Sequence, residues 1–241
     1  MNGFELAVAA SAVLAGVIAS IAGFGIGSVL TPILALELGT KLAVAAVSIP
    51  HVIGTAIRLW MLRGHIDRRI FLWFGLASAA GGLLGALLHA RASNRALGVV
   101  LGALLVFVAL SELSGLMQHI RLGRRAAWVA GGVSGMFGGL VGNQGGIRSA
   151  ALLAFEGDKQ TFVATATAVG LVVDAARMPV YLATEWAALQ SLWPLITIAV
   201  VGVAAGTLAG RHVLAWVPEW VFRRLVAGLL FALGGWLIVH G

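Results

Sequence analysis

The chain consists mostly of long apolar stretches, separated by short segments rich in charged and polar residues. Eight apolar blocks can be traced, and each is long enough to supply the roughly 20 residues that a helix needs to cross the hydrocarbon core of a bilayer. The polar segments between them are too short for a soluble domain. This pattern predicts an all-α polytopic membrane protein. The blocks are 4–38, 42–62, 70–90, 96–117, 126–155, 161–183, 189–210 and 221–240.

The first and fifth blocks differ from the other six. Each is too long for one ordinary span, and each is interrupted by glycines, at GFGIG (23–27) and GLVGNQGG (139–146). Lipid cannot satisfy exposed backbone polar groups, so such a break persists only where protein or a water-filled cavity surrounds it. We therefore predict that each of these two blocks is a broken helix hairpin.

The chain also resembles itself at a shift of 119 residues. TAIR (55–58) falls on DAAR (174–177), which places Arg58 over Arg177. We predict two inverted repeats, 1–117 and 126–241, each a broken hairpin plus three transmembrane helices, joined by the basic loop 118–125. Further matched pairs are Gly16 with Gly135, Gly23 with Gly142, Gly27 with Gly146, and Leu34 with Leu153.

The distribution of loop Lys and Arg favours the hairpins. If every block crossed the membrane once, six of these residues would lie on one face and seven on the other. With two hairpins, ten share a face and three lie opposite, the bias that marks cytoplasmic loops. The chain of each half then passes from one face of the membrane to the other an odd number of times. The halves are therefore inverted relative to each other, and both termini are periplasmic. The three are Lys41, Arg91 and Arg95; the ten are Arg63, Arg68, Arg69, Arg121, Arg124, Arg125, Lys159, Arg211, Arg223 and Arg224.

Composition narrows the class of protein further. Only 10% of the 241 residues are charged, against about a quarter in globular domains. This excludes a soluble enzyme, a disordered chain and a nucleic-acid-binding domain, and the net charge of +7 is assigned to loops beside a membrane. The chain has no cysteine, so disulfides and thiolate metal sites are excluded. The first hydrophobic run has no basic segment before it, so a cleaved signal peptide is not expected.

Three arginines lie inside the apolar blocks, where each costs on the order of 2.5–3.5 kcal/mol or more. Asp174, one helical turn before Arg177, is the only acid close to any of them. About two positive charges are left, which a small dianion would balance. Half-helix N-termini after the glycine breaks would add N–H donors for an anion. The predicted site residues are Gly25, Gly27, Ser28, His51, Arg58, Asn143, Gln144, Gly145, Gly146, Arg148, Asp174 and Arg177.

Several candidates also have a purely structural explanation. Arg58 lies near the end of its block and could extend to the membrane interface, and Arg177 could form a scaffold ion pair with Asp174. His51 could carry a proton, donate to a ligand or simply pack. Isolated glycines are expected to serve helix packing rather than binding. These glycines are Gly81, Gly85, Gly202 and Gly206.

The glycine-rich stretches GVIASIAGFGIGSVLTPIL (16–34) and GGVSGMFGGLVGNQGGIRSAALLAF (131–155) resemble the TauE/SafE sulfite exporter family of bacterial membrane permeases. The resemblance covers essentially the whole chain. It implies transport of sulfite, sulfonates, sulfoacetate or related anions across the inner membrane. Members commonly have a triple-glycine break and a following proline in both halves. Here Pro32 is matched by Ala151, and Arg148 stands where the first half has Val29, which leaves the substrate open.

These observations favour a secondary transporter for a small sulfur-containing anion in the bacterial inner membrane, working by alternating access. An anion channel or a membrane subunit of a larger complex is the alternative. An intramembrane enzyme is not expected, because no nucleophile–base pair or metal-ligand cluster can be assembled from the sequence. GFGIG lacks the P-loop lysine, so neither ATP nor another cofactor is predicted. The expected partners are the anion and the lipid bilayer, with homo-oligomerisation left open.

Overall fold

The computed structural model describes residues 2–115, 124–152, 158–213 and 219–240, and this part of the chain is helical apart from short connections. It contains ten α-helices and no strand, which confirms the predicted all-α class. One 3₁₀ turn, Arg63–His65, follows the third helix. The helices are α1 Gly3–Ala22, α2 Ile26–Leu38, α3 Thr40–Leu62, α4 Arg68–Arg91, α5 Asn94–Ser114, α6 Arg124–Val141, α7 Gly145–Leu152, α8 Lys159–Ser191, α9 Trp193–Val213 and α10 Glu219–His240.

Six helical segments in the described ranges are long and apolar enough to cross a membrane. Two shorter apolar helices, Ile26–Leu38 and Arg224–His240, accompany them. Large apolar side chains such as Leu72, Leu76 and Val201 are exposed on the outside of the bundle, as expected for a surface that faces lipid. The protein is therefore a multi-pass membrane protein. The six segments are Gly3–Ala22, Thr40–His65, Arg68–Arg91, Asn94–Ser114, Gln160–Ser191 and Trp193–Gly210.

Both predicted glycine breaks are present. Gly23 (φ 77°) ends α1 and Gly142 (φ 72°) ends α6, each in the left-handed conformation that favours glycine. The chain then turns back on itself: Gly25 lies against the side chain of Ile18. After the second break, Ser134 Oγ donates to the carbonyl of Gln144 at 2.9 Å. Each break is thus followed by a reversal of the chain.

The helices of the first half pack mainly against those of the second. α1 packs against α9, α4 against α6 and α8, α5 against α10, and α3 against α8. Small residues permit the close approaches: a side chain at Gly85 would collide with the carbonyl of Met136, and one at Gly206 with that of Val13. Gly81 and Gly202 likewise lie against the neighbouring helix, which confirms the packing role predicted for all four isolated glycines.

The sixth block ends later than predicted. Residues 184–188, which lie between the sixth and seventh predicted blocks, belong to α8. Glu185 in this segment is 3.9 Å from Lys41 Nζ, so the charge that was taken to end the block has a partner within the structure. At its other end, Asp158 accepts a hydrogen bond from the Thr161 backbone N–H at 2.8 Å. That bond lowers the pKa of the exposed Asp158 carboxyl.

Some sequence-based predictions fall outside the described residues. Most of the predicted basic loop, the end of the first predicted repeat at 117, and Leu153 belong to this group. The division into two repeats, and their inverted relation, stay predictions.

Candidate functional site

The two glycine breaks meet in the interior of the protein. Gly27, in the first turn of α2, leaves no room for a side chain beside the carbonyl of Gly142. Ser28 Oγ donates to Asn143 Oδ1 at 3.0 Å, and Gly145 packs against the Phe24 ring. The N-termini of α2 and α7 are therefore brought together, as the sequence-based site requires.

Asp174 lies between two basic side chains. Its Oδ1 accepts from Arg177 Nε at 3.0 Å and from NH2 at 2.7 Å. Its Oδ2 is 2.7 Å from Nδ1 of His51, which joins α3 to α8. An ionised carboxylate within a membrane protein needs such partners, and the Asp174 side chain is 0% exposed. Arg177 is thus ion-paired, as one of the sequence-based alternatives proposed.

Arg58 does not extend to the membrane interface. Its side chain is buried, with Nε donating to Thr167 Oγ1 at 2.8 Å and NH1 to the carbonyl of Ala19 at 2.7 Å. The snorkelling alternative is therefore wrong. The ends of α1 and α3 and the middle of α8 are connected through this one guanidinium.

Arg148 is the least satisfied of the three arginines. It is 3% exposed, in α7, and NH2 donates to the carbonyl of Gly23 at 3.2 Å. Its Nε and NH1 have no hydrogen-bond partner among the described residues. A side chain at Gly170 of α8 would lie 2.7 Å from NH1, so that glycine gives the guanidinium its space.

Unpaired donors are concentrated beside Arg148. The side-chain nitrogens of Asn143 and Gln144 are buried and, like Gln144 Oε1, lack a partner within the described ranges. A buried donor left unpaired costs about 1–3 kcal/mol, so these groups are available to a polar partner such as water or a ligand. Guanidinium and amide N–H groups together suit an anion with acceptor oxygens.

The glycines of the predicted site have different surroundings. Gly27 and Gly145 lie where the breaks meet, whereas Gly25 (φ 136°) lies against Ile18 and Gly146 against Val108 of α5. The conformation of Gly25 and the packing of Gly146 each account for a glycine without a ligand. The structure therefore gathers Ser28, His51, Asn143, Gln144, Asp174 and the three arginines around or beside the breaks.

Sequence reasoning missed several polar residues around the site. Tyr181 donates to the carbonyl of Gly139, and its ring centre is 5.7 Å from the Arg177 guanidinium carbon. His89, buried in α4, bonds through Nδ1 to the Leu140 carbonyl at 2.8 Å. Tyr181 is the only tyrosine of the chain and follows Arg177 by one helical turn, a signal that could have selected it. In the described part of the chain, no three His, Asp or Glu side chains gather as metal ligands.

Comparison with known proteins agrees with the glycine-rich pattern. No curated protein and no solved structure matches the chain significantly. The family model described as Sulfite exporter TauE/SafE matches residues 8–237. This match spans nearly the whole chain, both breaks and all three buried arginines included, and the chain therefore belongs to the TauE/SafE sulfite exporter family.

Proposed function

We propose that the protein is a secondary transporter that moves a small sulfur-containing anion, such as sulfite, a sulfonate or sulfoacetate, across the bacterial inner membrane. Its family is one of anion transporters of the exporter type rather than enzymes. The observation that carries the proposal for this chain is the buried Arg148, whose Nε and NH1 are unpaired. A cation with unused donors inside an apolar protein is stabilised when an anion binds to it.

The proposed anion lies where the two breaks meet. Arg148 provides the charge and two donors, and the amides of Asn143 and Gln144 provide further N–H groups. Ser28 and the N-termini of α2 and α7 face the same region. Arg58 and Arg177 already donate hydrogen bonds to other groups of the protein. They therefore contribute positive potential at the site but no donor to the anion. Asp174 limits that potential.

Alternating access is proposed as rocking of one half against the other. The halves pack against each other through helix pairs, α1 with α9 and α4 with α6. Polar contacts also cross between the halves, among them Arg58 with Thr167, His51 with Asp174 and Ser28 with Asn143. When the anion site opens to the other side of the membrane, these contacts must either break and re-form or move together with one half.

The test is anion binding by the purified protein. Sulfite, sulfate, thiosulfate, sulfoacetate, taurine and a carboxylate are titrated while thermal unfolding is followed, because a ligand of the native state raises its stability with concentration. Arg148→Gln is expected to weaken binding about tenfold or more, the value of a charged hydrogen bond. Arg63→Gln, at an exposed position on Trp60, is the control. Equal binding by both variants contradicts the proposed site.

Flux measurements distinguish a transporter from a channel. Proteoliposomes with wild-type protein are expected to take up the stabilising anion with a saturable rate. A rate that rises in proportion to anion concentration without saturating, and that is lost in Arg148→Gln, would support an anion channel at the same site. Unchanged flux in Arg148→Gln would favour a subunit role elsewhere in a complex.

A further inference from the structure

The two broken helices end in the same way. Gly23 donates its N–H to the carbonyl of Ala19 at 3.0 Å, and Gly142 donates to the carbonyl of Gly138 at 3.1 Å. Both glycines are left-handed, and both carbonyls lie four residues earlier. The two pairs are separated by 119 residues, the shift that relates Arg58 to Arg177.

A buried arginine binds the same carbonyl at each helix end. Arg58 NH1 donates to Ala19 O at 2.7 Å, and Arg177 NH1 donates to Gly138 O at 2.5 Å. Each carbonyl thus accepts two hydrogen bonds, one from the closing glycine and one from an arginine. Each arginine comes from the third helix of its own predicted half, α3 or α8.

The physical match is between a cation and a helix C-terminus. The last carbonyls of a helix carry about half a negative charge, and a positive group beside them is stabilised, most where water is excluded. Arg58 and Arg177 are both buried. Both are also fixed by a second group, Thr167 for Arg58 and Asp174 for Arg177. Arg148 differs, because only its NH2 is engaged.

We propose that Arg58 and Arg177 are equivalent positioning residues, each of which fastens the C-terminal end of a broken helix to the third helix of its half. They hold the break segments, residues 23–25 and 142–144, in the place where Arg148 binds the anion. The three arginines thus have two roles. Arg58 and Arg177 each hold a helix end and are called helix clamps below, and Arg148 binds the anion. This assignment rests on the proposed function for the anion, but the clamps themselves are present without it.

The test is hydrogen–deuterium exchange of the whole protein in nanodiscs without added anion. Arg58→Met removes the guanidinium donors while keeping an unbranched side chain, and is expected to speed exchange in peptides covering 19–27 about tenfold. Exchange over 138–146 should stay unchanged. Arg177→Met should instead speed exchange over 138–146 and leave 19–27 unchanged. The double variant Asp174→Asn/Arg177→Met should give the same result, and it leaves no unpaired buried carboxylate. Arg63→Met is the control.

The pattern decides between a clamp and general stabilisation. Thr167→Val keeps Arg58 but removes its second anchor, so a smaller rise confined to 19–27 is expected. Faster exchange at both breaks in every variant, or at neither, would overturn the proposal. Because no anion is present, these outcomes are independent of the binding titration. Lost anion binding with the expected exchange pattern would refute the proposed function alone.

Discussion

Arg148 depends on the absence of a side chain on the neighbouring helix. Its NH1 lies where a Cβ at Gly170 would be 2.7 Å away. At the shift of 119 residues, Gly170 corresponds to His51 and Arg148 to Val29. The two halves therefore carry different side chains at these matched positions, and only the second supplies an arginine. The unpaired amides of Asn143 and Gln144 belong to the same half.

Gly170→Ala tests this dependence without removing a charge. The new methyl would displace the flexible end of Arg148, so anion affinity is expected to fall about tenfold, the loss of one charged hydrogen bond. Gly235→Ala, where a Cβ would meet nothing within 4 Å, is the matched control and should bind as wild type. Titration of the stabilising anion by thermal shift provides the measurement. Unaltered affinity in Gly170→Ala would separate Arg148 from the binding site.

Asp174→Asn tests the buried ion pair. Removing one partner of such a pair leaves Arg177 buried without its carboxylate, which costs about 3–5 kcal/mol. We expect a large loss of stability in thermal unfolding. Glu185→Gln, which removes a partly exposed partner 3.9 Å from Lys41, should cost about 1 kcal/mol or less. Similar losses in the two variants would show that the Asp174 network is not a stabilising feature.

The buried arginines were predictable from the sequence, but their hydrogen-bond partners were not. An arginine inside an apolar block is visible in the sequence because charge is expensive there, so Arg58, Arg148 and Arg177 could be selected. The partners of Arg58, Ala19 and Thr167, could not, because a backbone carbonyl has no sequence signature and threonine is common in apolar helices. Contacts of this kind depend on which helices become neighbours.

At the level of helices, glycine marks two different features. A left-handed glycine with its neighbours ends a helix, as at Gly23 and Gly142, and these breaks were predictable from clusters of glycine. A helical glycine lets two backbones approach, as along α4 and α6. The C-terminal end of α8 was not predictable from hydropathy, because helical hydrogen bonding continues beyond the apolar residues.

The α4–α6 contact provides a test within a single helix. A side chain at Gly135 would collide with the carbonyl of Ser78, whereas one at Gly132 would make ordinary contact with Ala77 O at 3.7 Å. Gly135→Ala is therefore expected to cost about 1–3 kcal/mol through overpacking, and Gly132→Ala should be neutral or slightly stabilising. Thermal unfolding of the two variants measures the difference. Equal stabilities would mean that the helices separate without cost.

At the scale of the whole molecule, contacts between distant segments bear on the predicted topology. Asp67 N donates to Thr165 Oγ1 at 3.0 Å, which places the start of α8 beside the start of α4. At the opposite end of α3, Lys41 N donates to Asn94 Oδ1 at 2.8 Å. A hairpin in the fifth block puts residues 67 and 159 on one face, whereas a single crossing there puts them on opposite faces. The first arrangement is the one consistent with these contacts.

Single cysteines can test this topology cleanly, because the chain has none of its own. Arg63→Cys, Gln160→Cys and Arg95→Cys introduce thiols at exposed positions near helix ends. If both hairpins are present, an impermeant maleimide should label position 95 in intact spheroplasts and positions 63 and 160 only after permeabilisation. A C-terminal reporter that is active only in the cytoplasm should be silent. Labelling of 160 together with 95 would contradict the second hairpin. Labelling of 63 and 160 without 95 would retain the second hairpin but reverse the orientation.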